Sequence, residues 1–281
     1  MPVDYIVPAA AGRLPFDKID GWMTRTVEVG SVEIGGPRFV VVAGPCTIES
    51  RDQLLTIVRS IRAHGASAVR GGVFKMRTDP RSFQGLGAEA LAFVDEVRAE
   101  TGLPFIVEVT SPDQIDVLAG RVDMLQVGSR SMHNTALLTG VGQTRTPVLL
   151  KRGLAAQLRE WLLAADYIVA GGNEAVVLCE RGIRTFETET RNTFDLAGAV
   201  WAKQHSPFPV LADPSHATGR PDLVGPMCLA AAAAGLDGVM VEVHYDPARA
   251  LGDGFQALTL ERFSSVVESL KPILEVLGRK I

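Results

Sequence analysis

The chain has 281 residues, 47% hydrophobic and 21% charged, with a formal net charge of −4. That length fits one large domain, and the acidic balance and 6% aromatic content leave no electrostatic footprint or stacking platform for nucleic acid. No apolar run approaches the roughly 18 residues that span a bilayer, the opening MPVDYIVPAAAGRLPF lacks the basic and apolar regions of a secretory signal, and three sparse cysteines (Cys46, Cys179, Cys228) predict reduced thiols rather than a disulfide framework. The expectation is a cytoplasmic globular protein.

Residues 1 to about 25 carry Pro2, Pro8 and Pro15 without periodicity and read as an extended arm. TRTVEVGSVEIGG, residues 24–36, alternates apolar and polar residues around Gly30, which predicts a β-hairpin. Such a hairpin could plug the N-terminal mouth of a barrel. Arm and hairpin together, residues 1–36, precede a catalytic region over 37–281. From Phe39 onward strand and helix signals alternate. After VVVAGPC comes SRDQLLTIVRSIRAHG, with Ser50 as N-cap, Gly65 as the stop, and Leu54, Leu55, Ile57, Val58 and Ile61 on one stripe. The same grammar recurs in GAEALAFVDEVRAETG, SPDQIDVLAG, NTALLTGVGQ, LAAQLREWLLAADYIVAGG, TFDLAGAVWAKQH, RPDLVGPMCLAAAAAG and LERFSSVVESLKPILEVLG. Continuous apolar strands such as VVLCE and GVMVEV are those of a parallel sheet buried on both faces. About eight βα units result, which predicts a (β/α)8 barrel. An open doubly wound sheet is the alternative, but nothing like GxGxxG marks the first βα turn.

Almost every strand-like run ends on a residue able to bind phosphate, a metal or a proton, and a β/α barrel places its active site at those ends. The runs are VVVAGPC, VRGGVFKMR, FIVEVT, MLQVGSR, VLLKRG, VVLCERG, VLADPSH and VMVEVH. Lys75, Arg77, Arg130, Lys151, Arg152, Arg181 and Arg184 lie at or just past strand ends. Each alone reads equally as a solvated charge; as a set on a barrel they converge on one cavity suited to a ligand with several anionic groups. Cys46, His216, Glu242, His244, Asp246 and Asp253 supply thiolate, imidazole and carboxylates, a mixture suited to a borderline divalent ion such as Mn, Fe, Co or Zn. The residues alone do not separate Asp246 from Asp253. His64, His133 and His205 receive no role, and Cys179 and Cys228 read as core. ERGIRTFETETRNTF, residues 180–194, is the longest irregular piece and a candidate substrate-covering segment.

At GPCTIES, KMRTDPRSFQGLG, LLKRG, LCERGIRTFETETRNTFDL, DPSHATGR and VEVHYDPARALGDG, roughly residues 24 to 270, the sequence resembles the type I beta 3-deoxy-D-arabino-heptulosonate 7-phosphate (DAHP) synthases. That group also embraces the 3-deoxy-D-manno-octulosonate 8-phosphate synthases. The resemblance implies a metal-dependent barrel enzyme condensing phosphoenolpyruvate with erythrose 4-phosphate at the opening of the shikimate pathway. It implies Cys46, His216, Glu242 and Asp253 as metal ligands, and Arg130, Lys151 and Arg181 as phosphoenolpyruvate contacts. Lys75, Arg77 and Thr78, in the KPRT-like motif, would meet the aldose phosphate, with Lys75 as proton donor and Glu108 orienting water. A homo-oligomer, dimer or tetramer, is the implied assembly. No regulatory domain of the kind found on some relatives is expected, although a separate partner protein could still regulate the chain.

The family's KPRT proline is Met76 here, Asp79 stands where Ser or Thr is usual, and Tyr245 replaces a common proline. The nearest alternative is the octulosonate synthase acting on arabinose 5-phosphate, whose relatives carry a KANRS-like motif where this chain reads KMRT. A mechanistically different alternative is a Schiff-base aldolase using Lys151, and a third is a partner-binding barrel without catalysis.

Overall fold

The computed structural model describes residues 24–281; the predicted arm lies outside them but for its last two residues. The predicted hairpin is present, with β1 (Val27–Val29) antiparallel to β2 (Val32–Ile34). Gly30 at the turn has φ +56°, which glycine adopts without steric cost.

Eight strands then form a closed parallel barrel: β3 (Val40–Gly44), β4 (Ala68–Arg70), β5 (Phe105–Val109), β6 (Met124–Val127), β7 (Val148–Lys151), β8 (Val176–Glu180), β9 (Val210–Ala212) and β10 (Gly238–Glu242). Each pairs with the next, and β10 closes on β3 in a register running from Gly238 with Val40 to Glu242 with Gly44. The doubly wound alternative is therefore excluded. Closure leaves no free sheet edge.

The helices are α1 (Arg51–Ala63), α2 (Leu91–Thr101), α3 (Ile115–Leu118), α4 (Thr135–Gly142), α5 (Leu158–Ala170), α6 (Leu196–His205), α7 (Pro214–Thr218), α8 (Pro221–Ala233) and α9 (Leu260–Val276). All follow the predicted order except the short α7, capped by Asp213, which the sequence reading did not contain. In α1 the Ser50 hydroxyl accepts from the Gln53 amide at 3.1 Å, and the five predicted apolar residues are buried. The helix predicted from Leu154 begins instead at Leu158. Gln157 and Glu160 form a reciprocal capping box there, which sets the first turn. The SPDQ segment is a 3₁₀ turn leading into the short α3.

Successive strand residues face opposite sides of a sheet, and this parity divides the core. Val41, Val69, Val107, Leu125, Leu150 and Leu178 pack outward against the helices. Val40, Val42, Ala68, Ile106, Met124, Leu149, Val177, Leu211 and Met240 fill the barrel, and Val27, Val29 and Ile34 of the hairpin join that inner cluster. Hairpin and barrel interior are one hydrophobic unit, so the hairpin plugs the N-terminal mouth, a placement its alternation alone does not fix. Among the described residues no helix is long and apolar enough to cross a membrane.

Candidate active site

The site is the next inward-facing layer above the apolar filling. Two residues beyond Ala68, Ile106, Met124, Leu149, Leu211 and Met240 stand Arg70, Glu108, Gln126, Lys151, Asp213 and Glu242. On β8 the inner face runs Val177, Cys179, Arg181, and β3 delivers Cys46 just past its end. Glycine at position 44 permits this approach, because at its φ of +151° a Cβ would run into the Arg70 carbonyl. Gly128 plays the same part beside the Glu108 carboxylate.

Cys46, His216, Glu242 and Asp253 each aim one donor atom at a common point, all within 4.8 Å of one another. A thiolate, an imidazole and two carboxylates fit a borderline divalent cation, and this set can hold one. Asp253, not Asp246, completes the cluster. Its backbone has φ +49°, among the described residues the one non-glycine positive φ, a conformation in which Asp is several-fold enriched. His244 stays apart: its Nδ1 accepts from the Asp246 amide at 3.0 Å and its ring stacks on Tyr245.

Buried partners hold each ligand. Asp213 Oδ2 lies 2.8 Å from His216 Nδ1, Gln256 donates to Glu242 Oε2 at 2.7 Å, and Arg70 donates to Glu242 Oε1 at 3.0 Å and to the Pro45 carbonyl at 2.9 Å. Such outer contacts orient metal ligands. Burial first, then the negative Glu242 beside it, pushes the Cys46 thiol up to about 12, against the pull of Lys75 and Arg70. Burial lowers the His216 pKa, which favours the neutral ring that ligates metals. Burial opposes charge on Asp253, but Lys75, His216 and Arg191 outweigh it and hold the carboxyl below its ordinary range.

Beside the cluster opens a cavity of about 210 Å³, with His216 and Asp253 in its wall. Its basic lining is Arg70, Lys75, Arg130, Lys151, Arg181, Arg184 and Arg191, against the carboxylates Glu108 and Asp253. The concentration of cations inside an acidic protein is therefore real, and it suits a ligand with several negative groups. Arg181 Nη1 and Ser129 Oγ are buried without a hydrogen-bond partner, donors placed for something the protein itself does not supply. Arg130 donates to the Met76 carbonyl at 2.9 Å, and Lys151 Nζ to Asp213 at 2.5 Å. Thr78 lines the cavity, whereas Arg77 turns toward the cluster, its Nη1 3.6 Å from Asp253 Oδ1.

One predicted cation reaches neither the cavity nor the cluster. Arg152 follows the inward Lys151 and by strand parity points outward. It is buried against Glu180 at 2.9 Å and Asp195 at 2.7 Å, with its Nε on the Ala156 carbonyl. The predicted covering segment, residues 180–194, is pinned by a bridge between Ile183 and Thr193 and contributes Arg181, Arg184, Arg191 and Asn192 to the cavity wall. Arg70, Gln126, Asp213, Arg191 and Gln256 carry no role in the sequence reading. Inward parity along their strands marks the first three; Arg191 and Gln256 reach the site from loops, where no period operates.

The chain matches the DAHP synthetase I family over residues 23–276. It is 42% identical over 255 residues to the phospho-2-dehydro-3-deoxyheptonate aldolase of Thermotoga maritima, covering 91% of this chain and 75% of that protein. Against the 2-dehydro-3-deoxyphosphooctonate aldolase of Desulfatibacillum aliphaticivorans identity is 33%, over 89% of this chain and 98% of the relative. Among solved structures, the T. maritima phospho-2-dehydro-3-deoxyheptonate aldolase superposes with TM-score 0.89 at 41% identity, covering 92% of this chain and 75% of that one. A truncated 3-deoxy-D-arabino-heptulosonate 7-phosphate synthase from the same organism superposes with TM-score 0.85 at 38% identity, covering 92% and 94%. Closed barrel, four-donor cluster and cationic cavity thus occur in a chain that belongs to the DAHP synthetase I family.

Proposed function

We propose that the chain condenses phosphoenolpyruvate with erythrose 4-phosphate and water to give 3-deoxy-D-arabino-heptulosonate 7-phosphate and phosphate, the entry step of the shikimate pathway. The observation that carries this reading is the direct contact of two unlike subsites, a four-donor metal cluster and a cation-lined cavity sharing His216 and Asp253. The higher identity to the heptonate aldolase than to the octonate aldolase supports the four-carbon acceptor.

Cys46, His216, Glu242 and Asp253 would hold a divalent ion, Mn, Fe, Co or Zn. When bound, that ion supplies a Lewis acid for the aldehyde oxygen. Arg130, Lys151 and Arg181 grip the phosphate and carboxylate of phosphoenolpyruvate, converting an encounter of two anions into a fixed attack geometry. Arg77 and Thr78 hold the aldose phosphate. The enol carbon attacks the aldehyde carbon, and the Lys75 ammonium protonates the alkoxide oxygen that develops. Water, oriented by Glu108, adds to the cationic C2 so formed, and the C2–O bond to phosphate then breaks to give the ketone; of the two water protons one leaves with phosphate and one restores the Lys75 ammonium. A Schiff base on Lys151 is disfavoured, because its Nζ is held in a 2.5 Å ion pair with Asp213.

The test is phosphate release from phosphoenolpyruvate with erythrose 4-phosphate or arabinose 5-phosphate, each with and without a chelator. Chelator-sensitive release with the four-carbon sugar alone is expected. Turnover only with arabinose 5-phosphate reassigns the acceptor, and turnover that survives chelation removes the metal from the reaction.

A further inference from the structure

Asp213 belongs to neither set of residues assigned above, yet its carboxylate touches a member of each. Its Oδ2 accepts from Lys151 Nζ at 2.5 Å and lies 2.8 Å from His216 Nδ1, while Oδ1 accepts from the His216 backbone amide at 3.0 Å. The three side chains are 1%, 4% and 11% exposed, so solvent does little to screen the arrangement. Lys151 faces the anion cavity and His216 the metal cluster. One oxygen atom therefore serves two donors, the cavity's Lys151 and the cluster ligand His216, which also stands in the cavity wall.

We propose that Asp213 is a positioning residue that couples the metal cluster to the anion cavity, so that each binds more tightly when the other is filled. The inference rests on the reading of Cys46, His216, Glu242 and Asp253 as metal ligands and Lys151 as a phosphoenolpyruvate contact. An anion in the cavity draws the Lys151 ammonium toward itself and away from Oδ2. The freed carboxylate then bonds the His216 Nδ1–H more strongly and fixes the ring with Nε2 facing the cluster, as carboxylates behind metal-binding histidines do. In the reverse direction, a cation on Nε2 polarises the ring and strengthens its bond to Asp213. Lys151 is then less neutralised and meets an anion more readily. Linkage requires the same factor in both directions.

Asn at this position separates coupling from mere scaffolding. Its Oδ1 still accepts from the His216 amide and caps α7, but its amide nitrogen accepts from neither Lys151 nor the imidazole. The experiment is calorimetric titration of Mn²⁺ into chelator-stripped protein, with and without saturating phosphoenolpyruvate, for the parent, Asp213→Asn and Lys151→Met. In the parent, phosphoenolpyruvate should tighten Mn²⁺ binding within the roughly 5–150-fold range of such couplings. In Asp213→Asn, Mn²⁺ binding alone should weaken about 10–100-fold, and the tightening by phosphoenolpyruvate should shrink to nearly nothing. Lys151→Met frees Oδ2 for His216 and should bind Mn²⁺ without phosphoenolpyruvate more tightly than the parent, a readout independent of its own contact with that substrate that keeps the test decisive if Asp213→Asn does not fold. An undiminished coupling factor in Asp213→Asn overturns the proposal, as does a Lys151→Met protein that binds Mn²⁺ no more tightly than the parent. So does a parent that binds both ligands independently, which leaves both subsites standing. A parent that binds no Mn²⁺ overturns the ligand assignment and the coupling together.

Discussion

The Lys75 ammonium lies 2.6 Å from the Cys46 sulfur, and the same nitrogen is 3.3 Å from Asp253 Oδ2. One cation thus faces two of the four cluster donors, and the same Lys75 lines the cavity. The backbone builds this contact at short range: the Lys75 amide donates to the Gln84 carbonyl at 2.8 Å, closing the loop that carries the KMRT motif.

Lys75→Met should therefore lower kcat by about 10²–10⁴, the usual contribution of a positioned acid. Mn²⁺ binding should persist, since all four donors remain. Steady-state kinetics and calorimetry on the same preparation check this. Joint loss of turnover and metal binding would reassign Lys75 to ligand organisation.

Metal binding should be pH-dependent through Cys46. Its pKa is raised to about 12, so the thiol is protonated at neutral pH and must lose that proton to ligate. The sign follows: affinity rises with pH, by about tenfold per unit below 12, with about one proton released per ion. Titrations in buffers of different ionisation enthalpy measure the proton count. Zero released protons near neutral pH would falsify thiolate ligation.

Arg70 is 4% exposed and pairs with the 1% exposed Glu242. Removing one partner of a buried pair strands the other charge, which costs about 3–5 kcal/mol. Arg70→Met should lose stability on that scale in denaturant titration of the metal-free protein. Added Mn²⁺ should restore part of it by neutralising Glu242 in place of the guanidinium. A fully stable Arg70→Met protein argues against the pair as a structural element.

Arg152 and Arg181 stand one on the outer and one on the inner face of neighbouring strands, and their loss should differ in kind. Arg152→Met leaves Glu180 buried without its partner, so stability should fall by about 3–5 kcal/mol with KM for phosphoenolpyruvate nearly unchanged. Arg181→Met should raise that KM about 10- to 100-fold, the worth of a charge-assisted bond of about 1.5–3 kcal/mol. Kinetics and denaturation on both variants separate the two roles.

Ile34 is 1% exposed within the inner barrel cluster. Ile34→Ala should cost about 2–5 kcal/mol by leaving a cavity in the plug. Because the site lies at the opposite end of the barrel, substrate KM values should hold below the melting transition. A change in KM without a change in stability would contradict the purely structural role of the hairpin.

Much of this was legible in the chain. Strand runs of four to six apolar residues alternating with striped helices imply a barrel, because a parallel strand buried on both faces needs a crossover helix before the next. Chemistry at the ends of those runs follows from the same topology. The hairpin at Gly30 was readable from alternation alone. Arg152 departs from the expected convergence for an equally simple reason: nearness to a strand end does not suffice, because parity decides which side of the wall a residue faces. The same parity would have exposed Arg70, Gln126 and Asp213 once Leu149 and Lys151 were recognised as inward.

By itself the sequence determined the alternation of strands and helices, the hairpin, and the end of the barrel where chemistry gathers, because periodicity and strand direction are local properties. Only the tertiary structure brought the Cys46 and Asp253 donors together, joined Lys151 to His216 through one Asp213 oxygen, and carried Arg191 and Gln256 into the site from loops. Those relationships join residues up to 207 positions apart, as in the contact of Cys46 with Asp253. Barrel closure sets such distances, and no repeat within the chain encodes them.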